Sequence, residues 1–180
     1  METGDLKMAL RAVNHASYIF KDDPRFIILH SRCLRKMDRG SEALELIDQS
    51  ASFSQDQDVA AERSEVLYEL GRYQEYVDTM KKAYPEGIPE GKAKLQYIDV
   101  LVRLSLFDEA LREINSSLSI NRNSVGMLRK KFQVLTLLNS YSEAYQTAEL
   151  ILATDPKDKD AALFMLDQLF RSGNYESFIE

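Results

Sequence analysis

The sequence predicts an all-α chain of repeated helical hairpins, and two observations carry that prediction. One is a short phrase, clearest as Phe107-Asp108-Glu109-Ala110-Leu111, whose alanine slot recurs as Ala9, Ala43, Tyr76, Ala110, Ala144 and Phe178. These positions stand 34, 33, 34, 34 and 34 residues apart. So regular a period is the signature of a stacked array, in which each repeat buries its apolar face on the next. The other is that apolar residues recur at helical spacing while strand-type alternation is not sustained anywhere.

The register divides the chain into a partial repeat 1–23, full repeats 24–56, 57–90, 91–124 and 125–158, and a partial repeat 159–180. The partial repeat 1–23 opens on residues 1–4, which read as the tail of a first helix. Repeat 24–56 starts at Asp23-Pro24, where Asp caps a helix and Pro fits its first turn. In repeat 57–90 a first helix is expected near 58–70, with Ala60, Ala61, Ser64, Leu67 and Tyr68 on one face. Gly71-Arg72-Tyr73 breaks it, and a second helix carries Tyr76, Val77, Met80, Ala83 and Tyr84 until Pro85, Gly87, Pro89 and Gly91 end it. Repeat 91–124 contains the clearest copy of the phrase, opening its second helix at Phe107. Repeat 125–158 offers Ser140-x-x-Glu143 as a capping box for its second helix. The last partial repeat is apolar from Ala161 to Phe170, and Gly173-Asn174-Tyr175 repeats the turn of Gly71-Arg72-Tyr73. Both ends fall inside a repeat, so a longer array is expected.

Composition narrows the class. The 180 residues are 44% hydrophobic and 29% charged, enough for a real core. A net charge of -6 and a pI near 5.1 argue against nucleic acid as the partner. The single Cys33 cannot form an internal disulfide, which favours a reducing, cytoplasmic setting. No apolar run approaches the ~18 residues of a spanning helix, so no membrane insertion is expected. The first seven residues lack the apolar core of a signal peptide. The sequon Asn115-Ser116-Ser117 is read as a chance match.

This pattern resembles the tetratricopeptide repeat, a 34-residue helix-turn-helix. The family's turn, with Gly, an aromatic, an acid and Ala in order, is matched in part by the stretch from Gly4 to Ala9, by Leu70-Gly71-Arg72-Tyr73-Gln74-Glu75 and by Tyr141-Ser142-Glu143-Ala144. Its terminal Asp-Pro is matched by Asp155-Pro156. The resemblance covers essentially the whole chain and implies a right-handed superhelical solenoid. Departures are visible. The family's Trp slot holds Ile27, Ala60, Lys94, Leu128 and Ala162, and its small mid-helix residue survives as Ser31 and Ser64 but becomes Ile98, Phe132 and Leu166. The larger residues should push the helices of a repeat apart.

Chemistry is sparsely supplied. His15 and His30 are the only histidines, and they fall in different repeats. His30-x-x-Cys33 sets two ligands about a turn apart, whereas zinc needs four, or three plus water, so Cys33 reads as a core residue. No Gly-rich phosphate loop exists. No catalytic residue, metal or cofactor is expected. Tyr84, Phe107, Phe132 and Tyr141 read as core.

Charge is the informative pattern. Asp58, Glu62, Glu65 and Glu69 are spaced four, three and four apart, which lines one helix face with acid. The equivalent residues are Arg25, Leu29, Arg32 and Lys36 one repeat earlier, and Lys92, Gln96, Asp99 and Arg103 one repeat later. Gly126, Lys130, Gln133 and Leu137 follow, then Asp160, Phe164, Asp167 and Arg171. The resemblance implies that this face lines a concave groove for a partner peptide, with a basic strip, an acidic strip and a mixed end. Neighbouring helices neutralising one another, as Arg25 with Asp58 or Lys92 with Asp58 or Glu62, is the competing reading. The family's co-chaperone clamp for acidic C-termini needs Lys and Asn on these faces, and they offer no Asn. The expected function is a non-enzymatic scaffold that binds a protein segment of patterned charge within a larger assembly. Reversing Glu62 and Glu65 to Lys should abolish capture and leave the helices intact. The alternative is the regulatory or substrate-targeting segment of a multidomain protein, a co-chaperone or a transferase. Self-association through end repeats is a third possibility.

Overall fold

The computed structural model describes residues 23–50 and 56–172, and before them Met8, Arg11, Val13, Ala16, Ile19 and Phe20, which are helical. The expectations for residues 1–4, Ala9, Phe178 and Gly173-Asn174-Tyr175 lie outside the described residues. From residue 23 to 172 the described residues form nine α-helices and no strand, gathered in two compact bodies. The N-terminal body holds α1 (Pro24–Arg35), α2 (Gly40–Asp48), α3 (Gln57–Glu69) and α4 (Tyr73–Ala83). The C-terminal body holds α5 (Lys92–Arg103), α6 (Phe107–Ile120), α7 (Val125–Leu137), α8 (Tyr141–Thr154) and α9 (Lys159–Ser172).

Start signals explain where several helices begin. Asp23 accepts hydrogen bonds from Arg25 N at 2.9 Å and Phe26 N at 3.3 Å, with Pro24 in the first turn. Asp56 does the same for α3, accepting from Asp58 N and Val59 N, which is why that helix starts at Gln57 rather than Asp58. The expected capping box at Ser140 is not formed. Its side chain caps nothing; its backbone N–H is turned back to Leu135 O at 2.9 Å, as part of the preceding turn.

That turn is the same in the four described hairpins. Arg39, Arg72, Leu106 and Ser140 each donate a backbone bond five residues back, to Leu34, Leu67, Leu101 and Leu135. The residue before each donor is left-handed: Asp38 at φ 58°, Gly71 at 70°, Ser105 at 57° and Asn139 at 57°. This is the Schellman closure, which satisfies the last carbonyls of a first helix while reversing the chain.

Each hairpin packs face to face, and α2 meets α3, α6 meets α7 and α8 meets α9; first helices also meet across repeats, α1 with α3 and α5 with α7. The repeated phrase marks the contact. Ala43, Ala110 and Ala144 have no exposed surface, and Tyr76 has 2%. A methyl there lets two helices approach closely. Tyr76 fills its slot with a ring 6.1 Å from that of Tyr68. In the Trp slot Ile27, Ala60 and Leu128 are buried as apolar residues, while Lys94 is buried as an ion pair, with Nζ 2.6 Å from Glu113 Oε2. Ile98 is fully buried. Phe132, Phe107 and Tyr84 are half-buried, but Tyr141 is a correction: it is exposed, its hydroxyl donating to Asn139 Oδ1. Among the described residues the fully buried rings are Tyr76 and Tyr97.

Candidate partner-binding groove

The charge stripe on α3 sits beside α1, and the two helices enclose an open groove of about 600 Å³. Ile28, Leu29 and Ala61 give it an apolar floor, with Arg25 and Arg32 on one wall and Asp58 and Glu65 on the other. Leu29 is 57% exposed, a large aliphatic surface left open amid charge.

Glu62, expected as part of an exposed acidic strip, is instead buried. Its side chain is only 2% exposed, accepting from Ser31 Oγ at 2.9 Å, Arg32 Nε at 3.0 Å and Arg35 Nη1 at 2.8 Å. Arg35 then reaches on, donating to Glu69 at 2.8 and 2.5 Å, with Glu65 at 4.0 Å. The Glu69 hydrogen bond, opposed by burial and reinforced by Glu62, raises the Arg35 pKa above the ordinary guanidinium range. The same bond lowers the Glu69 pKa below the ordinary carboxylate range. A carboxylate this buried is stable only when its oxygens are fully bonded, and two guanidiniums and a hydroxyl supply that. Basic and acidic strips therefore neutralise one another, but through Arg32 and Arg35. Arg25 and Asp58 do not pair with each other.

Arg35 went unread because it lies one residue off the 25, 29, 32, 36 stripe. Its three-residue spacing from Arg32 was the available signal. Lys36 is exposed at the far end of α1.

In the C-terminal body the corresponding face carries Lys130 bonded to Asp99 across α5 and α7. Lys92, Arg103 and Gln133 are exposed there and Gln96 is half-buried. Arg129 binds Asp155 at 2.9 Å and Asp158 at 2.6 Å, and Asp158 caps α9 by accepting from Ala161 N. Beyond them lies an apolar end, with Leu137 52% exposed and the Phe132 and Phe164 rings edge-on at 5.0 Å.

His30 and Cys33 do not converge with a third ligand, since no cluster of three His, Cys, Asp or Glu side chains suited to a metal occurs among the described residues. Cys33 is half-buried and His30 buried. No described helix is long and apolar enough to cross a membrane.

No protein-family model and no curated protein sequence matches this chain. Solved structures do. YrrB, a TPR protein with an unusual peptide-binding site, is similar at 21% identity and TM-score 0.70, over 95% of this chain and 89% of that one. A tetratricopeptide repeat protein from Parabacteroides merdae matches at 17% identity and TM-score 0.75, over 94% and 68%. MamA matches at 12% identity and TM-score 0.71, over 87% and 92%. Likeness at these identities establishes the fold.

Proposed function

We propose that this chain, which has the tetratricopeptide-repeat fold, is a non-enzymatic scaffold that holds a protein segment of patterned charge against its first helices, inside a larger assembly in a reducing, cytoplasmic compartment. The observation that carries the reading is the α1–α3 groove: an exposed Leu29 on an apolar floor, flanked by Arg25 and Arg32 on one side and Asp58 and Glu65 on the other. Burying an aliphatic side chain there gains roughly 25 cal/mol per Å² of apolar surface, and the flanking charges select orientation and speed encounter. The peptide-binding site of YrrB gives the fold a precedent for this kind of use.

Peptide-library selection on the intact chain tests the proposal. The expected ligands pair an apolar residue with flanking charges, and Asp58→Lys with Glu65→Lys should lose them while the circular dichroism stays helical. Glu62 is unsuited to this test, because a lysine there would face two guanidiniums in a buried site. An unchanged set of ligands on the charge-reversed chain would overturn the groove.

A second reading, self-association, is favoured by α9 of the C-terminal body, where Leu163 and Leu166 are 64% and 40% exposed. Light scattering across a concentration series decides it, and a monomer throughout rules it out.

A further inference from the structure

The groove between α1 and α3 is built like a pair of rails. Arg25 and Arg32 stand seven residues apart on α1, and Asp58 and Glu65 stand seven residues apart on α3. A common offset of 33 residues sets Arg25 against Asp58 and Arg32 against Glu65, so the two walls run in register. Seven residues of helix rise about 10.5 Å, which fixes the spacing of the charges along each wall. Between the walls the floor pairs Leu29, 57% exposed, with the small Ala61.

Much of this charge is unspent. Arg25 and Asp58 are exposed, and among the described residues neither side chain forms a hydrogen bond or an ion pair. Opposite charges that face each other across a groove and stay apart leave room for a guest between them. Arg32 is 60% exposed and gives Glu62 only its Nε, so both terminal nitrogens remain as donors. Glu65 is 34% exposed, with Arg35 4.0 Å away. Glu62 and Glu69, by contrast, are already held by Arg35.

The spacing selects the shape of the guest. In a β-strand, side chains on one face recur every ~6.6 Å, so their charges fall at ~6.6 or ~13 Å and miss the ~10.5 Å interval. Polyproline II turns every ~9.3 Å but has three edges; one that gives two edges to charge keeps none between them for Leu29. An α-helix repeats the interval at i and i+7. Its step of about 100° per residue sets an acidic edge, an apolar residue and a basic edge side by side.

We propose, on the footing that this groove is the chain's binding site, that its occupant is an α-helix of a partner protein with the pattern Glu-Lys-x-x-Leu-x-x-Glu-Lys. The two acids face Arg25 and Arg32, the two bases face Asp58 and Glu65, and the leucine lies on Leu29 and Ala61. Because the walls carry opposite signs, this order of edges fits in one direction only.

The test titrates the full chain with a peptide of that pattern, held helical by a lactam bridge on its outward face and followed by fluorescence anisotropy. Both peptide ends are capped, so no terminal carboxylate contributes. An unbridged control with proline beside the leucine keeps the charges and breaks the helix. The helical peptide should bind at least about tenfold tighter than the control. Arg25→Glu should weaken it about tenfold while the circular dichroism stays helical, and a peptide with one glutamate changed to lysine should restore the loss. Equal affinity for the proline control overturns the helix and leaves the groove standing as a site for an extended segment. No binding of the helical peptide, or binding that Arg25→Glu does not touch, overturns the helix as well. The groove itself falls only if the library ligands survive its charge reversal.

Discussion

Glu62 is the side chain on which the N-terminal body's electrostatics turn, and its replacement can be worked out. Glu62→Gln keeps the shape but removes the charge that holds Ser31 Oγ, Arg32 Nε and Arg35 Nη1 at 2.8 to 3.0 Å. Removing one partner of a fully buried ion pair costs about 3–5 kcal/mol when the other is stranded. Neither arginine is stranded here. Arg32 is 60% exposed and can turn to water, and Arg35 keeps both of its bonds to Glu69. What remains is a weakened set of charge-assisted bonds around a buried hydroxyl, worth about 1–2 kcal/mol in all. Glu62→Ala adds a cavity and should approach about 3 kcal/mol. Glu65, 34% exposed and 4.0 Å from Arg35, serves as the control, since Glu65→Gln should cost under about 0.5 kcal/mol. Urea unfolding measures the totals, and hydrogen exchange locates the loss in α1 and α3. Equal costs for the two glutamates would refute the claim that burial sets the value of this charge.

Further outcomes follow from other sites. Ser105 holds a left-handed φ of 57° without being glycine or asparagine, so Ser105→Gly should stabilise the α5–α6 hairpin by about 0.5 kcal/mol in thermal unfolding. Lys94 is 5% exposed against 28% for its partner Glu113, so the order of costs is predictable. Glu113→Ala leaves the buried lysine only the longer pair to Glu90 at 3.9 Å and should cost about 2 kcal/mol, whereas Lys94→Met lets the glutamate rehydrate and should cost less, as urea midpoints will show. Acid should destabilise the chain in two stages. His30 has a lowered pKa, so the unfolded state binds its proton first and stability falls as pH drops below the ordinary 6.5; His30→Leu should lack this stage. Glu69 and Asp158 also have lowered pKa values, through Arg35 and through the Ala161 backbone N–H respectively. Their contributions are complete above the ordinary 4.5 and 3.8 and are lost as pH falls through their folded values, giving the second stage in a pH series of thermal midpoints.

The sequence made the helical hairpins legible because a short period leaves its imprint six times, and Ala43, Ala110 and Ala144 are buried where the phrase put them. Caps made by Asp23 and Asp56 follow from local chemistry, and the first was readable. Ser140 was misread because its backbone N–H closes the preceding turn, an engagement that a capping pattern does not reveal. The groove was legible only as a stripe. Spacing puts Asp58, Glu62, Glu65 and Glu69 on one face but cannot tell which of them Arg35 will bury, since that depends on side-chain reach from the neighbouring helix.

The four reversals at Asp38, Gly71, Ser105 and Asn139 share one backbone shape and differ in how willingly each residue adopts it. Glycine enters that shape freely, Asn and Asp with little resistance, and serine against a steric penalty. Each hairpin is thus closed by a latch of different stiffness. The chain need not open as a single block: the turn at Ser105 is the costliest to hold and the turn at Gly71 the least.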